Sequence, residues 1–114
     1  PKKKIWLVFQ PHQYQRTYYL WKDFVKVLST LPIEKLILID IYDVAGREGG
    51  SMRKKVSSAE LAKTLQGRTL KYEVLHIPTI LETEKFLIKT IRGQEIVMVM
   101  GAGDIYNLTL RLTQ

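Results

Sequence analysis

The sequence predicts an α/β protein with a Rossmann-like open sheet of mainly parallel strands and helices on both faces. Short runs of strand-forming apolar residues alternate with segments whose apolar residues recur at helical spacing. The second and fourth runs are rich in Val, Ile and Leu, which is typical of strands covered on both faces. A chain of 114 residues is long enough for one domain with its own core.

Four strands are predicted, at residues 5–9, 35–41, 72–77 and 95–100. Each is followed by a predicted helix, and these helices span 16–29, 58–66, 80–91 and 104–112. Ser57 and Thr79 support two of the helix starts, because each precedes a glutamate by three residues, as in a reciprocal capping box. The stretch 45–56 contains three glycines and mixed charges, which indicates a surface loop.

Composition narrows the class of protein. Cysteine is absent, so neither disulfides nor thiolate metal sites can form. No apolar run is long enough to cross a bilayer and no signal-peptide pattern is present, so a cytoplasmic protein without membrane contact is the simplest interpretation. The net charge of +7 is concentrated at residues 2–4 and 53–55, but no aromatic residues interleave these runs. We expect a solvated basic face or a general attraction of phosphate-bearing substrates, and no nucleic-acid partner.

The polar segment at residues 10–17 follows the first predicted strand at its carboxyl end, where ligands bind in open α/β sheets. His12 can donate or accept a hydrogen bond, and Arg16 offers a planar pair of donors to a carboxylate or phosphate. A cation in the first turn of a helix is disfavoured by the helix dipole, which favours an anionic partner for Arg16. Either side chain could instead only order its own turn. Tyr42 and Asp43 end the second strand at the same edge and could line the cleft, although Asp43 could equally satisfy N–H groups of its loop.

A small-residue turn, Gly101-Ala102-Gly103, follows the fourth strand. Such a turn lets a ligand approach backbone N–H groups that favour anions, although it is often only a turn. His76 lies within a predicted strand and is expected to be structural. No nucleophile with a base and no carboxylate cluster is present, so we predict neither a catalytic residue nor a metal site in the chain.

Three segments resemble the C-terminal domain of the Mur ligase family of peptidoglycan synthesis. They are Phe-Gln-Pro-His-Gln-Tyr-Gln-Arg-Thr at 9–17, Asp-Ile-Tyr-Asp-Val-Ala-Gly-Arg-Glu at 40–48, and Met-Gly-Ala-Gly-Asp-Ile at 100–105. They occur in the family's order and span nearly the whole chain. By this resemblance, substrate is bound by His12, Gln13 and Arg16 and by the turn of Gly101, Ala102 and Gly103. Gln13 departs from the family, which usually has an arginine there, and glutamine lacks the charge.

The resemblance also implies a reaction. It is the ATP-dependent joining of L-alanine to UDP-N-acetylmuramate, with ATP and Mg²⁺ bound mainly outside this chain. The domain would position the amino acid and close over the ATP site.

By the same resemblance, residues 1–114 are most of one C-terminal domain. The domain's first strand and helix, with an Asp-Tyr-x-His-His-Pro segment, and the upstream domains, with a Gly-rich phosphate loop, are absent from the sequence. We therefore expect this piece to be inactive alone. Two alternatives stay open: a Mur-type ligase that recycles muropeptides, and a non-enzymatic α/β module that binds a nucleotide or a phosphorylated ligand.

Overall fold

The computed structural model describes residues 4–42, 56–68 and 71–101, together with residue 108. Within these ranges the strands are β1 (Lys4–Phe9), β2 (Lys35–Leu38), β3 (Glu73–His76) and β4 (Glu95–Met100). The helices are α1 (Tyr14–Tyr19), α2 (Trp21–Leu28), α3 (Ser58–Gln66) and α4 (Ile80–Thr90). None of these helices is long and apolar enough to cross a membrane. The predicted alternation of strands and helices is confirmed.

The four strands form one parallel sheet in the order β3-β2-β1-β4. The chain steps from β1 to β2 to β3 in one direction, and β4 then returns to the other side of β1. The strand order therefore reverses between β1 and β4. In open α/β sheets the crevice outside the carboxyl ends of the strands at such a reversal is the usual ligand site.

Apolar clusters lie on both faces of the sheet, because successive side chains of a strand point to opposite sides. Leu7 belongs to the cluster that α2 and α3 cover, in which Leu61 is fully buried. Val8 belongs to the opposite cluster, which contains Leu87 of α4 and also Leu108. Helices thus pack on both faces, as the sequence predicts for a Rossmann-like sheet, although β4 is partly exposed on the face that α2 and α3 cover.

Helix starts follow the predicted caps. Ser57 Oγ accepts a hydrogen bond from the N–H of Glu60 at 3.0 Å, and Thr79 Oγ1 accepts one from Glu82 at 3.1 Å. α3 has the predicted bounds, and α4 ends one residue earlier than predicted. The predicted helix at 104–112 and the predicted loop at 45–56 lie outside the described ranges, apart from residues 108 and 56.

β1 begins one residue earlier than predicted and β3 is one residue shorter at each end, and two further predicted elements differ more from the structure. The helix predicted at 16–29 begins at Tyr14 and is divided at Leu20, whose backbone (φ −99°, ψ 11°) leaves the helical conformation. The strand predicted at 35–41 ends at Leu38, because its regular pairing with the β1 side stops there and resumes only at Tyr42, after one extra residue. Both departures lie near the carboxyl edge of the sheet.

Candidate functional site

Backbone pairing resumes beyond the carboxyl ends of β1 and β2 with its register shifted by one residue, since Phe9 pairs with Leu38 but His12 pairs with Tyr42. The N–H of Tyr42 donates to the carbonyl of Pro11 at 2.8 Å, and the N–H of Gln13 donates to the carbonyl of Tyr42 at 2.6 Å. His12 and Tyr42 form an isolated parallel bridge. The segments after the two strands therefore run side by side, and they bring His12, Gln13 and Tyr42 together at the edge where the sequence places a site.

The His12 imidazole is half-buried and stacks on the Tyr42 ring. The ring centroids are 5.6 Å apart, and the planes are inclined by 19°. Such a neighbour restricts rotation of the imidazole, so that its nitrogens face a defined direction. An imidazole held in this way can contact a carboxylate or phosphate at the edge.

Gln13 adopts a backbone conformation that is unusual for a residue with a side chain. Its φ is 68° and its ψ is 135°, and it is the only non-glycine residue with a positive φ in the described ranges. Its carbonyl accepts from the N–H of Thr17 at 3.2 Å and from Thr17 Oγ1 at 2.8 Å. Together with the bond from its N–H to Tyr42, these contacts hold the residue in a strained geometry. Its side chain does not cap α1.

Arg16 is exposed on α1, one turn beyond His12. The argument from the helix dipole is wrong, because α1 has only six residues and Arg16 lies as much in its last turn as in its first. No carboxylate forms an ion pair with Arg16 within the ranges that the structure describes. Its guanidinium is not neutralised by a carboxylate of these ranges, so Arg16 stays a candidate for binding an anionic ligand.

Gly101 is exposed directly after β4. It lies beside the end of β1, because Phe9 pairs with Met100 and the N–H of Gln10 donates to the carbonyl of Met100 at 3.0 Å. The first glycine of the small-residue turn is thus next to the segment that carries His12. The remaining predicted residues, Ala102, Gly103 and Asp43, lie outside the described ranges.

Sequence reasoning missed Gln10 as part of the site. Its side chain is 7% exposed, and its Nε2 donates to the carbonyl of Asp40 at 3.1 Å. Its Oε1 is buried without a partner in the described part of the chain. This hydrogen bond joins the segment after β1 to the segment after β2. The sequence offered one signal for it, an amide directly after an apolar strand. Buried amides are normally hydrogen-bonded, so such a residue is expected to contact a neighbouring segment.

The pair formed by Asp40 and His76 was also missed. His76 is the last residue of β3, and its Nε2 lies 2.7 Å from Asp40 Oδ1. The pair is partly exposed on the side of the edge away from β4. It depends on the pairing of Leu38 with His76, so only knowledge of the strand order could have predicted it. No group of three or more His, Asp or Glu side chains able to hold a metal ion occurs among the described residues.

No family model matches the chain. Curated relatives do match, for example three that are all described as UDP-N-acetylmuramate–L-alanine ligase. The one from Lachnospira eligens is 36% identical over 108 residues, which is 95% of this chain and 22% of the relative. Those from Lachnoclostridium phytofermentans and Clostridium tetani are 34% and 37% identical and cover 100% and 93% of the chain. The chain spans 22–23% of the length of these relatives.

Proposed function

The chain belongs, as a segment, to the family of the UDP-N-acetylmuramate–L-alanine ligases, and we propose that it acts as most of the C-terminal domain of such a ligase. Relatives at 34–37% identity match nearly all of the chain. The observation that carries the proposal is geometric. His12 and Gln13 follow β1 and Gly101 follows β4, so these residues lie beyond the carboxyl ends of the two neighbouring strands between which the strand order reverses.

In the whole ligase, the carboxylate of UDP-N-acetylmuramate would be phosphorylated by ATP. The amine of L-alanine would then attack the acyl phosphate and release phosphate. ATP and Mg²⁺ would bind mainly outside this chain, and the ion would neutralise charge on the nucleotide phosphates. The domain would position L-alanine and close over the ATP site, which keeps water from the acyl phosphate.

Each candidate residue has a role in this proposal. The guanidinium of Arg16 would bind the carboxylate of L-alanine or the acyl phosphate through two hydrogen bonds. His12 would supply a further contact from its fixed imidazole, and Gln13 would hydrogen-bond without adding charge. The backbone of the turn that begins at Gly101 would receive the amino-acid carboxylate.

The complete domain would also contain a first strand and helix that this sequence lacks. β4 supports that proposal, because its side chains on the α2 face, namely Ile96, Met98 and Met100, are 40–48% exposed. A groove of about 300 Å³ lies between two of these side chains, Met98 and Met100, and α2, and Val27 and Leu31 also line it. Strands of parallel sheets are normally covered on both faces, so a further element of the domain would lie over this groove.

Kinetics of the whole ligase test the proposal through Arg16. Loss of a charge-assisted contact to an anion costs roughly 1.5–3 kcal/mol, so Arg16→Ala should lower kcat/KM for L-alanine by about one to two orders of magnitude. Arg16→Lys keeps the charge but not the planar fork, and it should recover only part of the loss.

The matched control is Arg68→Ala, which changes an exposed arginine after α3, at the opposite edge of the sheet. This variant should leave the kinetics unchanged. If Arg16→Ala melts like the parent and keeps kcat/KM within about twofold, its loss is under 0.5 kcal/mol and the anion-holding role is wrong.

A further inference from the structure

Tyr42 contacts the candidate site with both its backbone and its side chain. Its N–H and carbonyl bond to Pro11 and Gln13, at 2.8 and 2.6 Å. Its ring lies parallel to the His12 imidazole within 19°. The residue lies in the segment that follows β2, so it supports the segment after β1 from the neighbouring part of the chain.

The segment that carries the proposed anion-binding side chains is supported from within by Thr17, whose N–H and hydroxyl both donate to the Gln13 carbonyl, and otherwise by its neighbours. α1 begins after Gln13 without a side-chain cap. The torsion angle that orients a histidine ring is broad, so a half-buried imidazole without a neighbour samples several orientations. Gln13 keeps its strained φ only while its surroundings impose it. Both residues therefore depend on the contacts that Tyr42 makes.

We propose that Tyr42 is a positioning residue, which holds the His12 imidazole by stacking and the Gln13 backbone through its carbonyl. Its purpose rests on the proposed function, since a fixed imidazole is useful only where a ligand contacts it. The geometry of the Tyr42 contacts is independent of that function. The contact uses the face of the ring and not the hydroxyl, so phenylalanine should replace tyrosine at this position and an aliphatic residue should not.

Proton NMR of the histidine rings in this chain tests the positioning directly. The chain has two histidines, so two sets of imidazole signals are expected, and His12→Gln assigns them. Tyr42→Leu should shift the His12 ring protons downfield, because the ring current of the stacked tyrosine is lost. Tyr42→Phe should leave them in place. His76 is the internal control, since its partner is Asp40, at 2.7 Å, and its signals should not move in either variant.

Titration with inorganic phosphate gives the readout that a purely structural role would not change. Phosphate should shift the His12 signals of the parent chain. Tyr42→Leu should weaken that binding by about two- to tenfold, which is the fold-change equivalent to an aromatic pair, and Tyr42→Phe should not weaken it. A thermal melt confirms folding. Tyr42→Val, which favours the same extended backbone, replaces the leucine variant if that variant does not fold.

The outcomes separate the two hypotheses. If phosphate moves no His12 signal even in the parent, the proposed anion site fails, while the ring-current comparison still decides whether Tyr42 orients His12. If Tyr42→Leu leaves the His12 signals or the phosphate affinity unchanged, the positioning role is wrong. A loss of phosphate binding in Tyr42→Phe would overturn it too, because the hydroxyl would then contact the ligand itself.

Discussion

At the scale of single residues, Gln13 lies in the candidate site and has a strained backbone conformation. At φ 68° a side chain crowds the backbone, and glycine does not meet this penalty. We expect Gln13→Gly to be more stable than Gln13→Ala by roughly 1–2 kcal/mol in urea unfolding, from a strain cost of about 1–3 kcal/mol. The same two substitutions at Lys63, Lys63→Gly and Lys63→Ala, are the control, because Lys63 is an exposed position within α3. There alanine should be the more stable, by about 0.5–1 kcal/mol. An alanine variant as stable as glycine at position 13 would show that the conformation stores no strain.

The buried hydroxyl of Tyr72 makes the stability of the fold depend on pH. This hydroxyl donates to the carbonyl of Leu28, and burial raises the pKa of Tyr72 above its ordinary value of 10.0. The folded chain therefore keeps the phenolic proton to a higher pH than the unfolded chain does. The Tyr72 contribution to the free energy of unfolding should be constant below about pH 10, and it should be lost as the pH rises from there through the folded pKa.

The variant Tyr72→Phe tests this coupling. It should remove the Tyr72 contribution to the decline above about pH 10 and cost about 0.5–1.5 kcal/mol at neutral pH, because the Leu28 carbonyl loses its donor. Urea unfolding from neutral to alkaline pH measures both effects. Tyr19→Phe is the control, since Tyr19 is 68% exposed, and that variant should match the parent. An unchanged alkaline decline in Tyr72→Phe would assign the decline to other groups.

At the scale of elements, the side-chain caps stabilise two helix starts. Ser57→Ala and Thr79→Ala should each lower the free energy of unfolding by about 1 kcal/mol, because each leaves an N–H group of a first turn without its acceptor. Thr79→Ser and Ser57→Thr keep an acceptor and should lose much less. The two alanine variants should combine additively, since the caps lie on different helices. A loss in Thr79→Ser equal to that in Thr79→Ala would show that the methyl group, and not the cap, matters.

Local patterns predicted the elements well and their ends less well. α3 and β4 have their predicted bounds, because a cap or a continuous apolar run marks them. The break at Leu20 was not predictable, since apolar periodicity continues through it. The early end of β2 comes with a one-residue shift in its pairing with the segment after β1, and the apolar run through Ile41 does not mark that shift. At the site, the sequence placed His12 and Tyr42 on one edge, but contacts such as that of Gln10 with Asp40 require the strand order, which local patterns do not specify.

At the scale of the whole molecule, the two outer strands of the described sheet differ in kind. β3 is the polar one, since Glu73 pairs with Lys35 at 3.2 Å and His76 pairs with Asp40. β4 has the sequence Glu-Ile-Val-Met-Val-Met and carries no charge after its first residue. Natural sheets usually protect an outer strand with charge, proline or a covering element. β4 lacks charge and proline, so it is the strand on which a second molecule would pair.

We therefore expect the isolated chain to self-associate through β4 at concentrations on the order of 100 µM. Met98 is 48% exposed beside the groove, and Met98→Lys places a charge on the apolar face of this outer strand, which disfavours burial of that face by a second molecule. This variant should sediment as a monomer where the parent does not. Ile88→Lys is the matched control, because Ile88 is even more exposed, at 70%, but lies on α4 over the opposite face. It should associate like the parent. If both lysine variants lower association equally, general charge and not the β4 edge is responsible, and a parent that stays monomeric would show that β4 is already protected.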